Sequence, residues 1–406
     1  MRKLFVALLI VCVASIIVSF YRYGYRRTWA QIWNIETYEA PFLDMRIITG
    51  SAESLAAGYD PRVDNVYDPF HREFNYPAIW YPLFESGINS NWILPLGIAA
   101  IVLFFCGLAL FPGKLNYLSI FLLLLTTFSS AVMLGVERAN VDLIFFFIVS
   151  LALVLAEISI PAAFLLLLIG VLFKIYPVFA AGAFLSANRS KSLKYILAFV
   201  VSGLLYFGIM YPDMLSIFRV TPKDDYLSYG ANVLAVHFFK IYGVAPSFFS
   251  AILYVFAFML TILSLYFGLK KHGQYPSSDI RNERGFWVGA GVYIGTFLLG
   301  NSYDYRLMFL LFAVPQLTEW AFRPQCGSWI ARIALLALVF SCWYGVISKI
   351  YSFLPANSLD IVYYLNQFMN WALFVLLTYF FISSLPDWIG DDLKKMLPGA
   401  HFSTNE

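Results

Sequence analysis

The chain has 406 residues, 61% of them hydrophobic and 13% charged, where soluble domains carry about 25% charged residues. That balance excludes a soluble globular enzyme and a disordered chain, and a formal net charge of +3 makes no case for a nucleic-acid partner. The expected class is an all-α polytopic integral membrane protein.

Residues 4–21 form the first apolar run, close to the roughly 20 residues that a spanning helix needs. Arg2 and Lys3 precede it as in a secretory leader. No A-x-A-like site follows, only YRYGYRR, so an uncleaved anchor is expected. Further runs lie near 92–111, 115–134, 141–157, 160–173, 177–188, 194–211, 247–269, 285–300, 306–320, 328–346 and 363–384. The pair at 160–173 and 177–188 is short enough to be broken or re-entrant, which gives 10–12 transmembrane helices. Each must satisfy its backbone polar groups internally, as helices do.

Lys and Arg in short loops set the orientation. With the N-terminus inside, the inner loops hold Lys114, Arg189, Lys191, Lys194, Lys270, Lys271, Arg281, Arg284, Arg323, Arg332, Lys394 and Lys395. The short outer loops hold only Arg138, Lys174, Arg306 and Lys349. Both termini are therefore expected in the cytoplasm, with 385–406 as a cytoplasmic tail and long outer loops at 22–91 and 212–246.

The first outer loop carries the most information. Pro41 suits the first turn of a helix, where a missing N–H has no partner to lose. At 100° per residue Asp44, Met45, Ile48, Ala52, Leu55 and Ala56 share one face, with Arg46 and Glu53 opposite. Such a helix is expected at the membrane surface, apolar side down. Asp44 at the edge of that face is either a partly desolvated base or a simple complement to the positive helix N-terminus. Asp60, Asp64 and Asp68 read as turn residues. Tyr76, Trp80 and Tyr81 are belt aromatics that can also line a groove.

Further on, Arg138 has Glu137 and Asp142 near it as structural partners. Lys174 and Arg306 fall at outer span ends, where snorkelling to headgroups competes with a functional role. Both break the inside-positive bias, and both adjoin tyrosines. Asp224 and Asp225 are adjacent acids whose side chains are expected to diverge, which argues against a metal site. His237, in the run ANVLAVHFFK, is either a substrate ligand or structural. Cys12, Cys106 and Cys342 fall in predicted spans and Cys326 in an inner loop, so no disulfide framework or metal cluster is expected. The absence of a P-loop weighs against an ATP-driven pump.

A span followed by an outer helix bearing Asp44, a turn at Gly58-Tyr59-Asp60-Pro61, and Phe74-Asn75-Tyr76-Pro77 before the next span resembles the GT-C glycosyltransferases. Within them it is most similar to glycosyltransferase family 87, the polyprenyl-phosphate-mannose-dependent mannosyltransferase relatives. Lys174-Ile175-Tyr176-Pro177 matches that family's K-x-Y-P element, and Asn301-Ser302-Tyr303-Asp304-Tyr305-Arg306 resembles its later Tyr-Arg element. Gly135-Val136-Glu137-Arg138-Ala139-Asn140 departs from the usual Gly-Asn-x-Asn form. The likeness covers roughly residues 40–310.

The resemblance implies a GT-C-like architecture with a long first extracytoplasmic loop. It implies transfer of mannose or another hexose from a polyprenyl-phosphate donor to an acceptor hydroxyl on a glycolipid, polysaccharide or protein outside the cytoplasmic membrane. Asp44 would be the general base, and Lys174, Arg306 and Arg138 would meet the leaving phosphate. Tyr76, Tyr305 and His237 would be further substrate-binding residues, with no cofactor or metal called for. A polymerase or ligase of lipid-linked polysaccharide and a lipid transporter are the competing readings. The span interiors are almost free of charge and show no internal repeat, which disfavours a transporter. The largest loop follows the first span, whereas polymerases and ligases usually place theirs late.

Overall fold

The computed structural model describes residues 1–38, 41–111, 113–186, 188–243, 245–323, 327–352 and 357–395, the side chains of 357–359 aside. Cys326 and the end of the predicted tail, 396–406, lie outside these. The only sheet among the described residues has two short strands, β1 (Ser228–Tyr229) and β2 (Ser302–Tyr303). They run antiparallel, Ser228 opposite Tyr303 and Tyr229 opposite Ser302. All other regular elements among the described residues are helical.

Six helices are long and apolar enough to cross a bilayer: Arg2–Tyr23, Ser90–Ala109, Arg189–Ile209, Pro246–Lys270, Trp329–Tyr351 and Asp360–Ser383. The pair Tyr117–Thr127 and Ser130–Glu137 makes a seventh if counted as one span bent by 51°. The chain is a multi-pass membrane protein, helical apart from that one short strand pair among the described residues. Indole groups satisfy carbonyls freed at the bend, Trp33 Nε1 donating to Phe128 O at 2.7 Å and Trp343 Nε1 to Leu125 O at 3.1 Å.

Most of the remaining predicted runs take other forms in the structure, shorter than a spanning length or broken. The predicted span 141–157 is the 17-residue helix Asp142–Ile158, and 160–173 is the 14-residue helix Ile160–Phe173. The predicted 177–188 is a 3₁₀ segment, Tyr176–Phe184, and 306–320 divides into 3₁₀ Asp304–Phe312 and the helix Val314–Phe322. All of Asp304–Phe312 except Arg306 is buried. A segment enclosed by other helices is as apolar as one facing lipid, so hydropathy alone merges the two. The predicted 285–300 forms Ile280–Leu298, which starts among Arg281, Glu283 and Arg284. It packs closely on both 3₁₀ segments. A Cβ on Gly289 would lie 2.7 Å from Phe309 O, and one on Gly295 would lie 2.2 Å from the Phe179 ring.

Contacts between loops sort them into two ends. At one end Arg2 donates to Ala109 O, the Lys114 N–H to Asp279, Arg284 to Leu185 O and Arg323 to Pro276 O, while Arg189 pairs with Asp392. These are the predicted inner loops. At the other end Lys349 Nζ donates to Ala30 O, Arg62 pairs with Asp213, and Asn301 Nδ2 donates to Asp224 O. The predicted outer loops thus meet one another.

Candidate functional site

Asp44 lies in the first turn of the helix Leu43–Ala56, and 6% of its surface is exposed. This helix does not lie on a membrane surface. Ten of its fourteen residues are buried against protein, with Gly50 close to the backbone of Tyr67 and Asp68 and only Ala56 fully exposed. Arg46 and Glu53, predicted opposite the apolar face, are half-buried, as is Leu55 on that face, while Ala56, also predicted on it, is exposed. Pro41 precedes the helix. Phe42, at φ 62°, occupies the N-cap with its ring over Gly97.

The Asp44 carboxylate faces away from its own helix. Asn140 Nδ2 donates to Oδ2 at 2.7 Å, while Arg72 Nη1 and Arg138 Nη1 approach Oδ1 at 3.3 and 3.8 Å. Arg138 therefore joins Asp44 rather than the predicted Glu137 and Asp142. Glu137 accepts from Tyr25 Oη instead. Asp68 does close its turn, accepting from the Phe70 and Arg72 N–H groups, and its carboxylate also clamps the Arg72 guanidinium at 2.7 and 3.0 Å.

Asp142, fully buried in the first turn of Asp142–Ile158, forms a second charged group. Lys174 Nζ pairs with its Oδ1, and Arg306 Nε reaches Oδ2 at 3.2 Å. Both cations are inward, not snorkelled: Lys174 is 8% exposed and lies over the Tyr76 ring at 4.9 Å. The Arg306 guanidinium lies over Tyr176 and Tyr305 at 5.4 and 5.8 Å. Lys174 sits where Ile160–Phe173 ends in extended backbone ahead of Pro177. The carbonyls left open there accept from Trp80 Nε1 (Phe173 O, 3.0 Å) and Tyr206 Oη (Leu172 O, 2.7 Å). Trp80 thus supports the site, and Tyr81 packs on Phe74 beside Arg62.

Two cavities meet between these groups. One, of about 640 Å³, is lined by Asp44, Arg72, Arg138, Asn140, Tyr303 and Asp224 among others. Its neighbour, of about 350 Å³, is lined by Lys174, Arg306, Tyr176 and Lys223, with Phe207, Ile217, Phe218 and Leu299 on its apolar side. Tyr76 and Tyr305 belong to both walls.

Backbone strain gathers at the same place. Among the described residues, the non-glycine positions with positive φ are Asn34, Phe42, His71, Ala139 and Leu227. Asn34 and Leu227 line the larger cavity, and the others lie within two residues of Asp44, Arg72, Arg138 or Asn140. Such conformations cost about 1–3 kcal/mol each and cluster where function fixes the chain.

His237 is brought to a different place. Its Nδ1 lies 2.8 Å from Asp225 Oδ2, and its ring stacks on Tyr363 at 4.0 Å. Asp224 and Asp225 do not diverge as expected. Both reach Lys240 Nζ, at 2.8 and 2.5 Å, because the 222–227 loop is gathered against β2 by Asn301. Burial acts to raise the Asp225 carboxyl, but hydrogen bonds from Lys240 and His237 outweigh it and lower it to about 2.

Sequence reasoning missed Arg72, Asn140 and the part Asp142 plays. A buried acid in the first turn of an apolar helix was the available signal for Asp142. Arg72 had none, since its role depends on how the loop folds back. No family model matches the chain, nor does any curated protein or solved structure.

Proposed function

We propose that the chain is a membrane glycosyltransferase of the GT-C type, acting on a polyprenyl-phosphate hexose such as mannose. Asp44 takes the proton of an acceptor hydroxyl. The hydroxyl oxygen bonds to the anomeric carbon from the face opposite the phosphate, and the polyprenyl phosphate leaves with the bonding electron pair. Lys174 and Arg306 receive the developing negative charge. The observation that carries this reading is that the cavity of Asp44 and the cavity of Lys174 and Arg306 share Tyr76 and Tyr305. A sugar seated against those tyrosines has a carboxylate on one side and buried cations on the other.

Two further features support it. Asp142 answers one of its two cations, so the group keeps a surplus of positive charge for a phosphodiester. Phe218 and Leu299 line the phosphate side yet keep exposed surface, which suits a prenyl chain arriving from lipid. The basic end opposite the cavities belongs in the cytoplasm by the charge rule, which puts the reaction on the outer face of the plasma membrane. The acceptor is a glycolipid, polysaccharide or protein.

The test supplies membranes carrying the chain with radiolabelled polyprenyl-phosphate mannose. Asp44→Asn is expected to lower transfer by about 10²–10⁴-fold, the usual weight of a positioned base. Undiminished transfer in that variant, or none in the wild type with any hexose donor, would overturn the reading.

A further inference from the structure

A third cavity, of about 460 Å³, lies beside the first and shares Asn34 and Tyr226 with it. His237, Asp225, Tyr344, Tyr363 and Asp360 stand around it. We propose that it binds a neutral, hydroxyl-rich saccharide segment of the acceptor, an assignment that rests on the glycosyltransferase reading for the word acceptor but not for the site.

Three observations carry the proposal. Tyr363 is 7% exposed, and its phenolic oxygen has no hydrogen-bond partner among the described residues. A buried hydroxyl in that state is a cost that a ligand hydroxyl removes. Next to it, Asp225 fixes the His237 ring through Nδ1, while Nε2 has among the described residues only a long 3.5 Å contact with Tyr364 Oη. An imidazole held on one side and loosely engaged on the other is ready to exchange a hydrogen bond with a ligand. Third, the charges do not favour an anion. Asp225 and Asp360 at the wall balance Lys349, which donates to Ala30 O at 2.5 Å, and Lys240, which pairs with Asp225, so no surplus of positive charge is left for an anion.

The aromatic surface fits a sugar ring. Tyr226 and Tyr344 lie 5.8 Å apart at 60°, offering apolar faces beside the polar groups, the usual make-up of a small-molecule pocket. Adjacent residues also divide between cavities, Asp224 at the wall of the first and Asp225 at the wall of the third. A saccharide chain in the third cavity can therefore run past Tyr226 and present its terminal hydroxyl near Asp44.

The experiment uses the purified full chain in detergent and saturation-transfer NMR with α-mannobiose as neutral probe and glucuronic acid as anionic probe. Mannobiose is expected to bind the wild type. Tyr363→Phe and Asp225→Asn are each expected to weaken it about five- to tenfold, the weight of one hydrogen bond. Tyr363→Phe keeps the ring and its stack on His237 and removes the unpartnered hydroxyl, so its unfolding transition should lie at or above the wild type's. Absence of mannobiose binding, equal binding by Tyr363→Phe, or glucuronate binding as strong as mannobiose would overturn the proposal. Failure of sugar transfer with mannobiose binding intact overturns the enzyme reading alone. Transfer with an unchanged acceptor KM in Tyr363→Phe overturns the third site alone.

Discussion

Asn140 ties Asp44 to Asp142: its Nδ2 donates to Asp44 Oδ2 at 2.7 Å while its Oδ1 accepts from the Asp142 backbone N–H at 2.9 Å. One buried amide thus sets the position of the carboxylate in one cavity relative to the counter-ion of the other. Replacing it with Ala leaves two buried groups unpaired, at about 1–3 kcal/mol. Asn140→Asp should be worse, because a second carboxylate then faces Asp44. Thermal unfolding in detergent is expected to rank wild type above Asn140→Ala and that variant above Asn140→Asp. A reversed order would show that Asp44 is not held by this contact.

Asp142→Asn tests the second group. Lys174 and Arg306 are both largely enclosed, and Asp142 is the carboxylate that meets them. Removing one charge from a buried set costs about 3–5 kcal/mol, since the remaining charges lose their counter-ion. Pairing Asp142→Asn with Lys174→Met should recover part of that loss. Denaturant unfolding of the two single variants and the double one measures the coupling. Additive losses would mean that Lys174 and Asp142 do not interact.

Particular residues show what the sequence could and could not tell. Asp44, Lys174 and Arg306 were legible because each is a charge where an apolar chain has few, and the structure brings all three to adjoining cavities. Tyr76 and Tyr305 followed from their neighbours in short motifs. Arg72 was not legible, because its contact with Asp44 is made by a loop whose path depends on Asn65. The side chain of Asn65 accepts from Ser54 Oγ and donates to Arg72 O. The form of the later apolar runs was not legible either. Asp304–Phe312 is apolar because protein surrounds it, and composition cannot separate that from lipid.

The first outer loop is locked to the second by Asp213, in the helix Tyr211–Val220. Its Oδ2 accepts from the Ala78 N–H at 3.0 Å, and its Oδ1 pairs with Arg62, whose Nη2 also donates to Tyr76 O at 2.9 Å. Asp213→Ala leaves Arg62 half-enclosed without its acid and frees the chain just before Tyr76. Its expected cost is about 1–3 kcal/mol, from a charged hydrogen bond lost in a mostly buried place. Protease should then cut faster within residues 58–64 than in the wild type. Unchanged cutting there would mean that other contacts hold the loop.

Asp225 provides a pH signature. Its carboxyl is lowered from 3.8 to about 2 by hydrogen bonds from Lys240 and His237 that outweigh its burial. A lowered value in the folded state means that the unfolded chain binds the proton more readily, so acid favours unfolding. The stability from these contacts is complete above the unfolded value, near pH 4, and is lost as pH falls through about 2. Asp225→Asn removes the titrating group. Its unfolding temperature should lie below the wild type's by a constant margin near pH 5, and the margin should narrow below about pH 4. The measurement is a pair of melting curves in detergent at stepped pH. A margin that stayed constant down to about pH 2.5 would show that the wild-type stability there does not depend on an ionised Asp225.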